Sequence, residues 1–425
     1  MTSHADDRME VIHLSKNQLA ELSSLYGDSF YIFDSNQFIA NLEKFRSAFQ
    51  SHYANTRLAY SFKTNYLPAL TRIALEQQAM AEVVSGLEYQ LARMVGFPAE
   101  KIIFNGPLKK EHELDEAFEQ GAIVHFESTE EIDYLRTYLK KNPGRRVKCA
   151  VRCNFDIGDT RLSRFGIDAG NGDVEKAYEQ LFAIDGCDPV GIHCHISTDH
   201  RSLESYARRT RAIISLAKTV FKKRRPEYID IGGGFFGEMT RPFKELFPFD
   251  IPSFEAYGQV IGSEMRKQFP QGDVALILEP GGSVAADTMC YVCRVASIKE
   301  IRDRQIVTIT GSIHNARPTG PGTKPILFRT IKAGSTSRAL NNAIIGGYTC
   351  MEHDIISENF SGDLAVGDYI VFDNTGAYNI VFKPPFIRGA PPVLMSCSKN
   401  NETTFRIVHH EETAASMFTD YRFPE

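Results

Sequence analysis

From Arg57 to Gly282, short apolar runs of strand length alternate with longer stretches whose apolar residues recur at helical spacing. The pattern predicts strands over 57–63, 80–85, 101–105, 122–127, 146–154, 190–196, 228–231 and 275–279. Helices are expected over 67–77, 87–95 and 111–120, from Ser128 onward, and over 174–182, 203–222 and 254–269. Ser128 with Glu131 three residues on reads as a capping box, a reciprocal arrangement that opens a helix. Eight strands joined by crossover helices favour a closed parallel (β/α)8 barrel of the TIM type over an open doubly wound sheet. Such a barrel carries its site at the carboxyl ends of its strands. There the unusual residues gather: Lys63, Ser85, Asn105, Asn154, His195, Gly232 to Gly234, and Glu279.

After Thr288 the character changes. Runs at 291–298, 306–310, 343–347, 369–372 and 405–409 read as strands, punctuated by Gly and Pro. Near the amino terminus Phe30-Tyr31-Ile32-Phe33 is equally β-prone and is expected to pair with them. The 425 residues exceed the usual size of one core. The chain is therefore read as α/β, with a barrel over 36–285 and a discontinuous, mostly-β domain built from 1–35 and 286–425.

A net charge of −5 without a basic block argues against nucleic acid as a partner. No run approaches the ~18 apolar residues of a membrane span. The amino terminus, Met1 to Arg8, is polar and acidic, unlike a secretory signal. Eight cysteines without framework spacing suggest reduced thiols and a cytoplasmic home.

The segment Tyr60-Ser61-Phe62-Lys63-Thr64-Asn65-Tyr66 sets one lysine at the end of a short apolar strand, just before a helix. A lone lysine at such a place is ordinarily solvated. At a barrel-strand end its amine can instead enter a cavity and form a Schiff base, the role that pyridoxal phosphate demands. His193 and His195 alternate along a strand and so face one side. That spacing suits a metal, but no third ligand stands near in sequence. No metal is expected, and His193 is read as a buried, hydrogen-bonded structural histidine.

In order along the chain, several motifs resemble those of the fold-type III pyridoxal-phosphate decarboxylases, which include diaminopimelate, ornithine and arginine decarboxylases. They are Tyr60-Ser61-Phe62-Lys63-Thr64-Asn65, Glu82-Val83-Val84-Ser85-Gly86, Ser163-Arg164-Phe165-Gly166 and His193-Cys194-His195-Ile196-Ser197. Asp230-Ile231-Gly232-Gly233-Gly234-Phe235, Glu279-Pro280-Gly281, Cys350 and Gly376-Ala377-Tyr378 follow. The resemblance covers roughly residues 30–396. It implies that Lys63 anchors the cofactor and that Glu279 pairs with the pyridine nitrogen, keeping the ring an electron sink. It further implies that His195 stacks on the ring. The backbone of Gly232, Gly233 and Gly234, with Gly281, Tyr378 and the hydroxyls of Ser197 and Thr198, is expected to hold the phosphate. In the family the cysteine matching Cys350 comes from the partner subunit and delivers a proton to Cα after carbon dioxide leaves. Shared sites and an obligate homodimer follow from that. An amino-acid racemase shares the two-domain plan, but Cys350 and the His-Cys-His and Glu-Pro-Gly motifs speak against one. Retention of Lys63, His195, Glu279 and Cys350 argues against a binding protein that has lost catalysis.

The departures bear on phosphate and substrate. Where relatives usually read Glu-Pro-Gly-Arg, this chain has Gly282. Where ornithine and diaminopimelate decarboxylases carry an acidic residue after the cysteine, to receive a distal ammonium, this chain has Met351, whose thioether cannot. Arg317 stands where diaminopimelate decarboxylases hold a distal carboxylate, and a guanidinium fork suits that group. Thr319-Gly320-Pro321-Gly322 replaces the family's aliphatic–tyrosine pair, and Asp354 matches a family aspartate four residues beyond the cysteine. The expected substrate is an amino acid with a carboxylated or non-cationic far end, such as a biosynthetic conjugate. Diaminopimelate and ornithine or lysine are the alternatives.

Overall fold

The computed structural model describes residues 11–158, 162–319, 325–334, 336–382, 386–399 and 402–423. Two expectations, the polar start at 1–8 and the loop at 320–322, lie outside them. The chain divides into two compact units, one of Ile39–Gly237 with Phe249–Val284, the other of Met1–Phe38, Glu238–Pro248 and Ala285–Glu425. The excursion Glu238–Pro248 was expected within the barrel, yet it clusters with the second unit, where Asn374 Nδ2 donates to Thr240 Oγ1 at 3.3 Å.

The first unit is a parallel barrel. Its sheet runs Gly191–His193, Tyr228–Asp230, Ala275–Leu278, Thr56–Ser61, Met80–Val83, Ile102–Phe104, Ile123–Phe126, Val147–Val151 and Cys187–Pro189. The first and last of these are two halves of one strand, separated only by Val190. The path therefore returns on itself and closes eight strands, with a parallel bridge between Arg152 and His193 across the seam. Every strand contributes to the apolar plug inside: Ala59, Met80, Ile103, Ile123, Ala150, Val190, Tyr228, Ala275 and Ile277 form one buried cluster. Gly191 is required there, because a Cβ would lie 2.2 Å from the Tyr228 ring.

The helices follow the predicted periodicity. Glu111–Gln120 ends at Gly121 in the left-handed region, and Gly86–Val95 ends likewise at Gly96. The helix Thr129–Lys141 does take Ser128 as its cap residue, but the capping box does not form. Glu131 Oε2 instead accepts the amide of Glu127 at 2.9 Å, and Oε1 pairs with Lys109 at 3.0 Å. The Lys109 side chain is fully buried, so its need for a counter-charge outweighs a surface cap.

The second unit is built on a twisted sheet ordered Ile355–Leu364, Arg338–Gly346, Arg304–Ile309, Met289–Ile301, Phe30–Asp34, Val393–Lys399 and Glu402–His409. Phe30–Asp34 lies at its centre, antiparallel to Met289–Ile301 and parallel to Val393–Lys399. Being buried on both faces, it reads as the unbroken apolar run Phe30 to Phe33. Phe30, Ile32, Val292, Val371 and Leu394 pack with Leu19 and Leu22 of helix Lys16–Tyr26 in the core of this unit.

Candidate active site

The first barrel strand stops at Ser61, two residues earlier than predicted, and the chain turns through a short 3-10 helix, Phe62–Thr64, that carries Lys63. That turn aims the amine into a cavity of about 420 Å³ lined by Lys63, Glu82, Asn105, Arg152, His195 and Glu279, among others. Lys63 Nζ lies 2.6 Å from Glu82 Oε2. The carboxylate is 1% exposed and the lysine side chain 34%, so the pair is partly shielded from water. Ser61 Oγ donates to the same Glu82 oxygen, and Asn105 Nδ2 donates to Glu82 Oε1 at 3.0 Å and to Glu279 Oε1 at 2.6 Å. One amide thus fixes two buried carboxylates relative to each other. Glu82 stood in a quoted motif without a role, and Asn105 only as a polar strand end. Their placement depends on the first, second, third and eighth strands together, which no local spacing reveals.

His193 and His195 do face the same side. His193 Nε2 lies 3.6 Å from Glu279 Oε1, and His195 Nδ1 lies 3.8 Å from Glu279 Oε2. Neither contact is an ion pair, because burial pushes both imidazoles well below their usual range and leaves them neutral. His195 Nδ1 accepts the Gly233 amide at 3.0 Å, so its proton sits on Nε2. His193 departs from expectation: it is buried, yet neither ring nitrogen has a hydrogen-bond partner. The neighbours that sequence spacing lacked come from other strands, with His125, Asp230 and Glu279 placing donor atoms within 4.8 Å of one another and of His193. His125 Nε2 is already engaged by the Tyr228 hydroxyl at 2.7 Å. Burial, and then Glu279, drive the Asp230 carboxyl well above the ordinary range, towards its neutral form.

The glycine triplet follows the seventh strand. Gly232 (φ +71°) and Gly234 (φ +87°) adopt the left-handed region, and a Cβ at Gly233 would lie 2.2 Å from the Glu279 carbonyl oxygen. Only glycine permits that backbone. Two of its amides are engaged within the protein, Gly232 donating to Asp230 Oδ1 at 2.8 Å and Gly233 to His195 Nδ1 at 3.0 Å. Gly281 is equally confined, its Cβ position being 2.1 Å from Thr64 Oγ1. Buried Ser283 Oγ, two residues on, has no hydrogen-bond partner. Ser197 lines the cavity and is exposed, whereas Thr198 Oγ1 already accepts the Arg201 amide at 3.0 Å. An amine at a cavity wall, a buried carboxylate held by an amide, a neutral imidazole and a turn that only glycine can make together fit pyridoxal phosphate.

In the second unit, Asp354 is 3% exposed and joins two loops. Its Oδ1 accepts Ser312 Oγ at 3.0 Å and the Ile313 amide at 2.8 Å, while Oδ2 accepts the Thr349 amide at 3.1 Å. Both oxygens being engaged by protein donors, Asp354, the family-matched aspartate, is a joint between the two loops. One loop it ties carries the short helix Ile313–Ala316 and then Arg317, whose Nη2 donates to the Pro325 carbonyl at 2.8 Å. The other carries exposed Cys350 and half-buried Met351. Tyr378 is 38% exposed and, at φ +59°, holds a conformation rare for a tyrosine.

Residues 36–286 match the family model described as pyridoxal-dependent decarboxylase, pyridoxal binding domain. The chain is 26% identical to the diaminopimelate decarboxylase of Aquifex aeolicus over 85% of its length and 84% of that protein's. It is 25% identical to the L-glutamyl-[BtrI acyl-carrier protein] decarboxylase of Niallia circulans, over 95% of this chain and 96% of that one. The crystal structure of diaminopimelate decarboxylase from M. jannaschii in complex with L-lysine shares the fold, with a TM-score of 0.81 and 23% identity over 95% of this chain and 94% of that chain. The family match spans more than half of the sequence and contains the barrel cavity; this chain belongs to the pyridoxal-dependent decarboxylases and is a carboxy-lyase acting on an amino acid with pyridoxal phosphate as its cofactor.

Proposed function

We propose that this decarboxylase acts on an amino acid whose far end is a carboxylate or a neutral conjugate, in a homodimer whose two chains build each site together. The observation that carries the substrate reading is the Asp354 joint. It fixes the loop of Arg317 to the loop of Cys350 and Met351. By the resemblance these positions face the far end of the substrate, and a guanidinium and a thioether there offer no carboxylate for a cation. Electrostatic complementarity then disfavours ornithine and lysine. A relative whose name specifies a glutamyl group on an acyl-carrier protein supports a conjugated far end. Diaminopimelate is the second reading, favoured by the Aquifex aeolicus relative and by Arg317 as a carboxylate receptor.

Bound pyridoxal phosphate supplies the electron sink for the electrons released when the α-carboxylate leaves. The residues proposed to hold it are Lys63 as covalent anchor, Glu279 at the pyridine nitrogen, His195 on the ring face, and Gly232–Gly234, Gly281, Ser197 and Tyr378 at the phosphate. Asn105 keeps the Glu279 carboxyl group aimed by donating to it at 2.6 Å. Glu82 keeps the Lys63 amine at the cavity wall. Cys350 of one chain delivers the proton to Cα in the site of its partner. No helix among the described residues is long and apolar enough to cross a membrane, and all eight cysteines are free thiols, which supports a cytoplasmic setting.

The test is carbon dioxide release from a panel of ornithine, lysine, diaminopimelate, glutamate and glutamyl conjugates. The reading expects the highest kcat/KM for a substrate without a distal cation. Fastest turnover of ornithine or lysine would refute it and leave the decarboxylase assignment standing.

A further inference from the structure

A single buried cation clamps the loops after the sixth and seventh barrel strands from beneath. Arg209, on helix Leu203–Phe221, is 1% exposed. Its Nη1 donates to the carbonyls of Ile231 and Gly233, both at 3.3 Å, and its Nη2 to the carbonyl of Ile196. The Tyr206 ring lies 4.3 Å from the guanidinium carbon, and the Tyr206 hydroxyl donates to the Gly233 carbonyl at 3.0 Å. Three neutral carbonyls orient a guanidinium without neutralising it. Among the described residues no carboxylate lies within ion-pair distance of Arg209, and Asp230 is held towards its neutral form by burial and Glu279. Leaving a charge buried without a counter-charge is costly, so an anion bound at these loops would be stabilised by Arg209.

Other cations near the cavity are engaged or exposed, Arg164 of its lining among the exposed ones. Arg152 reaches the His195 carbonyl at 3.4 Å but pairs with Glu127 at 3.3 Å, and Lys63 pairs with Glu82. Arg201 donates to the Phe235 carbonyl at 3.3 Å and covers the Phe236 ring, yet it is exposed and screened by water. The loop after the eighth strand offers no cation of its own, because Gly282 stands where the resemblance calls for arginine.

We propose that Arg209 is the positioning cation for the cofactor phosphate in this chain, holding the Gly232–Gly234 turn and supplying its positive charge from the helix beneath. Its charge takes the place of the arginine missing at 282. This rests on the reading that the glycine turn holds the phosphate, and the experiment separates the two.

Apoenzyme would be titrated with pyridoxal phosphate and with pyridoxal, which lacks the phosphate, and the ratio of the two affinities taken as the phosphate contribution. Arg209→Met should lower that ratio at least about tenfold, the scale of losing a charge-assisted contact, while pyridoxal binding changes little. Arg209→Lys should keep most of it, and Arg201→Met should leave it within about threefold, as for a screened surface charge. A loss as deep in Arg209→Lys as in Arg209→Met would trace the effect to loop geometry and overturn the charge assignment. An unchanged ratio in Arg209→Met would overturn the proposal. If Gly234→Ala then lowers the ratio, the glycine-turn reading survives; if it does not, that reading falls as well. Should Arg209→Met not fold, the wild-type apoenzyme decides: inorganic phosphate should raise its melting temperature more than chloride at equal ionic strength, and equal shifts would refute the assignment.

Discussion

Glu88 sits beneath the catalytic wall and should make the barrel less stable as pH rises. It is 5% exposed at the start of helix Gly86–Val95, where its Oε2 accepts the Val84 amide at 2.8 Å. Burial, reinforced by the Glu82 charge, raises its pKa from 4.5 to about 7, against the smaller lowering effects of the Val84 amide and Lys63. A carboxyl with a raised folded-state pKa binds its proton more tightly in the native protein than in the unfolded chain. Its effect on stability is therefore neutral below the unfolded value and turns unfavourable as pH climbs from about 4.5 to about 7. The shift corresponds to about 3 kcal/mol at about 1.4 kcal/mol per unit. Glu88→Gln keeps an acceptor for the Val84 amide and removes the titration. Melting of wild-type and variant apoenzyme across pH 5 to 8 should show nearly coincident curves at the acid end. At the basic end the variant should lead by roughly 6–12 °C, taking about 2–4 °C per kcal/mol for a unit of this size. An offset that does not change with pH, or a variant that is less stable at pH 8, would show that the carboxyl is not held neutral by burial.

Four further outcomes are expected. Lys63→Ala should purify without covalently held cofactor, seen in its absorbance spectrum, and should release no carbon dioxide; full activity would defeat the anchor assignment. Asn105→Leu, which leaves Glu82 and Glu279 without their shared donor, should lower kcat/KM about 10- to 100-fold for a lost charge-assisted bond, with KM moving less than kcat. Cys350→Ala should still lose carbon dioxide slowly but yield aberrantly protonated products by mass spectrometry, and mixing it with Lys63→Ala should recover about a quarter of wild-type activity if dimers reassort freely and share sites. Arg317→Ala should cost about 2–5 kcal/mol in kcat/KM for the true substrate if Arg317 receives a desolvated distal anion, and nothing for ornithine or lysine.

The barrel was legible because its two periods are strong and alternate without interruption; Glu111–Gln120 falls where its spacing placed it. The strand ends were less so. Apolar character runs on to Phe62, and only the turn that presents Lys63 ends the first strand at Ser61. In the second unit the polar strand Ile355–Leu364 went unread, since Ser357, Glu358, Asn359, Ser361 and Asp363 give no β signal and its order comes from pairing with Arg338–Gly346. Among site residues, Lys63, His195 and Glu279 were visible as motifs and come together at one cavity. Glu82 and Asn105 acquire meaning only when neighbouring strands close the barrel. Arg209 was the least visible: its spacing sets it on the buried face with Tyr206 and Ile213, but an arginine among Arg208-Arg209-Thr210-Arg211 is ordinarily read as solvated.

The Asp354 joint also constrains how such a protein can change. Because one carboxylate anchors both the segment of Arg317 and the segment of Cys350, the roles proposed for them, substrate choice and proton donation, would be inherited as a single part. Drift in the first segment alone would strain the second, so new specificities would arise most readily by exchange of side chains on a fixed scaffold. A chimera that transplants residues 312–317 from a relative without the matching 349–354 should protonate poorly even where it binds well, whereas moving both together should carry specificity and catalysis across as one.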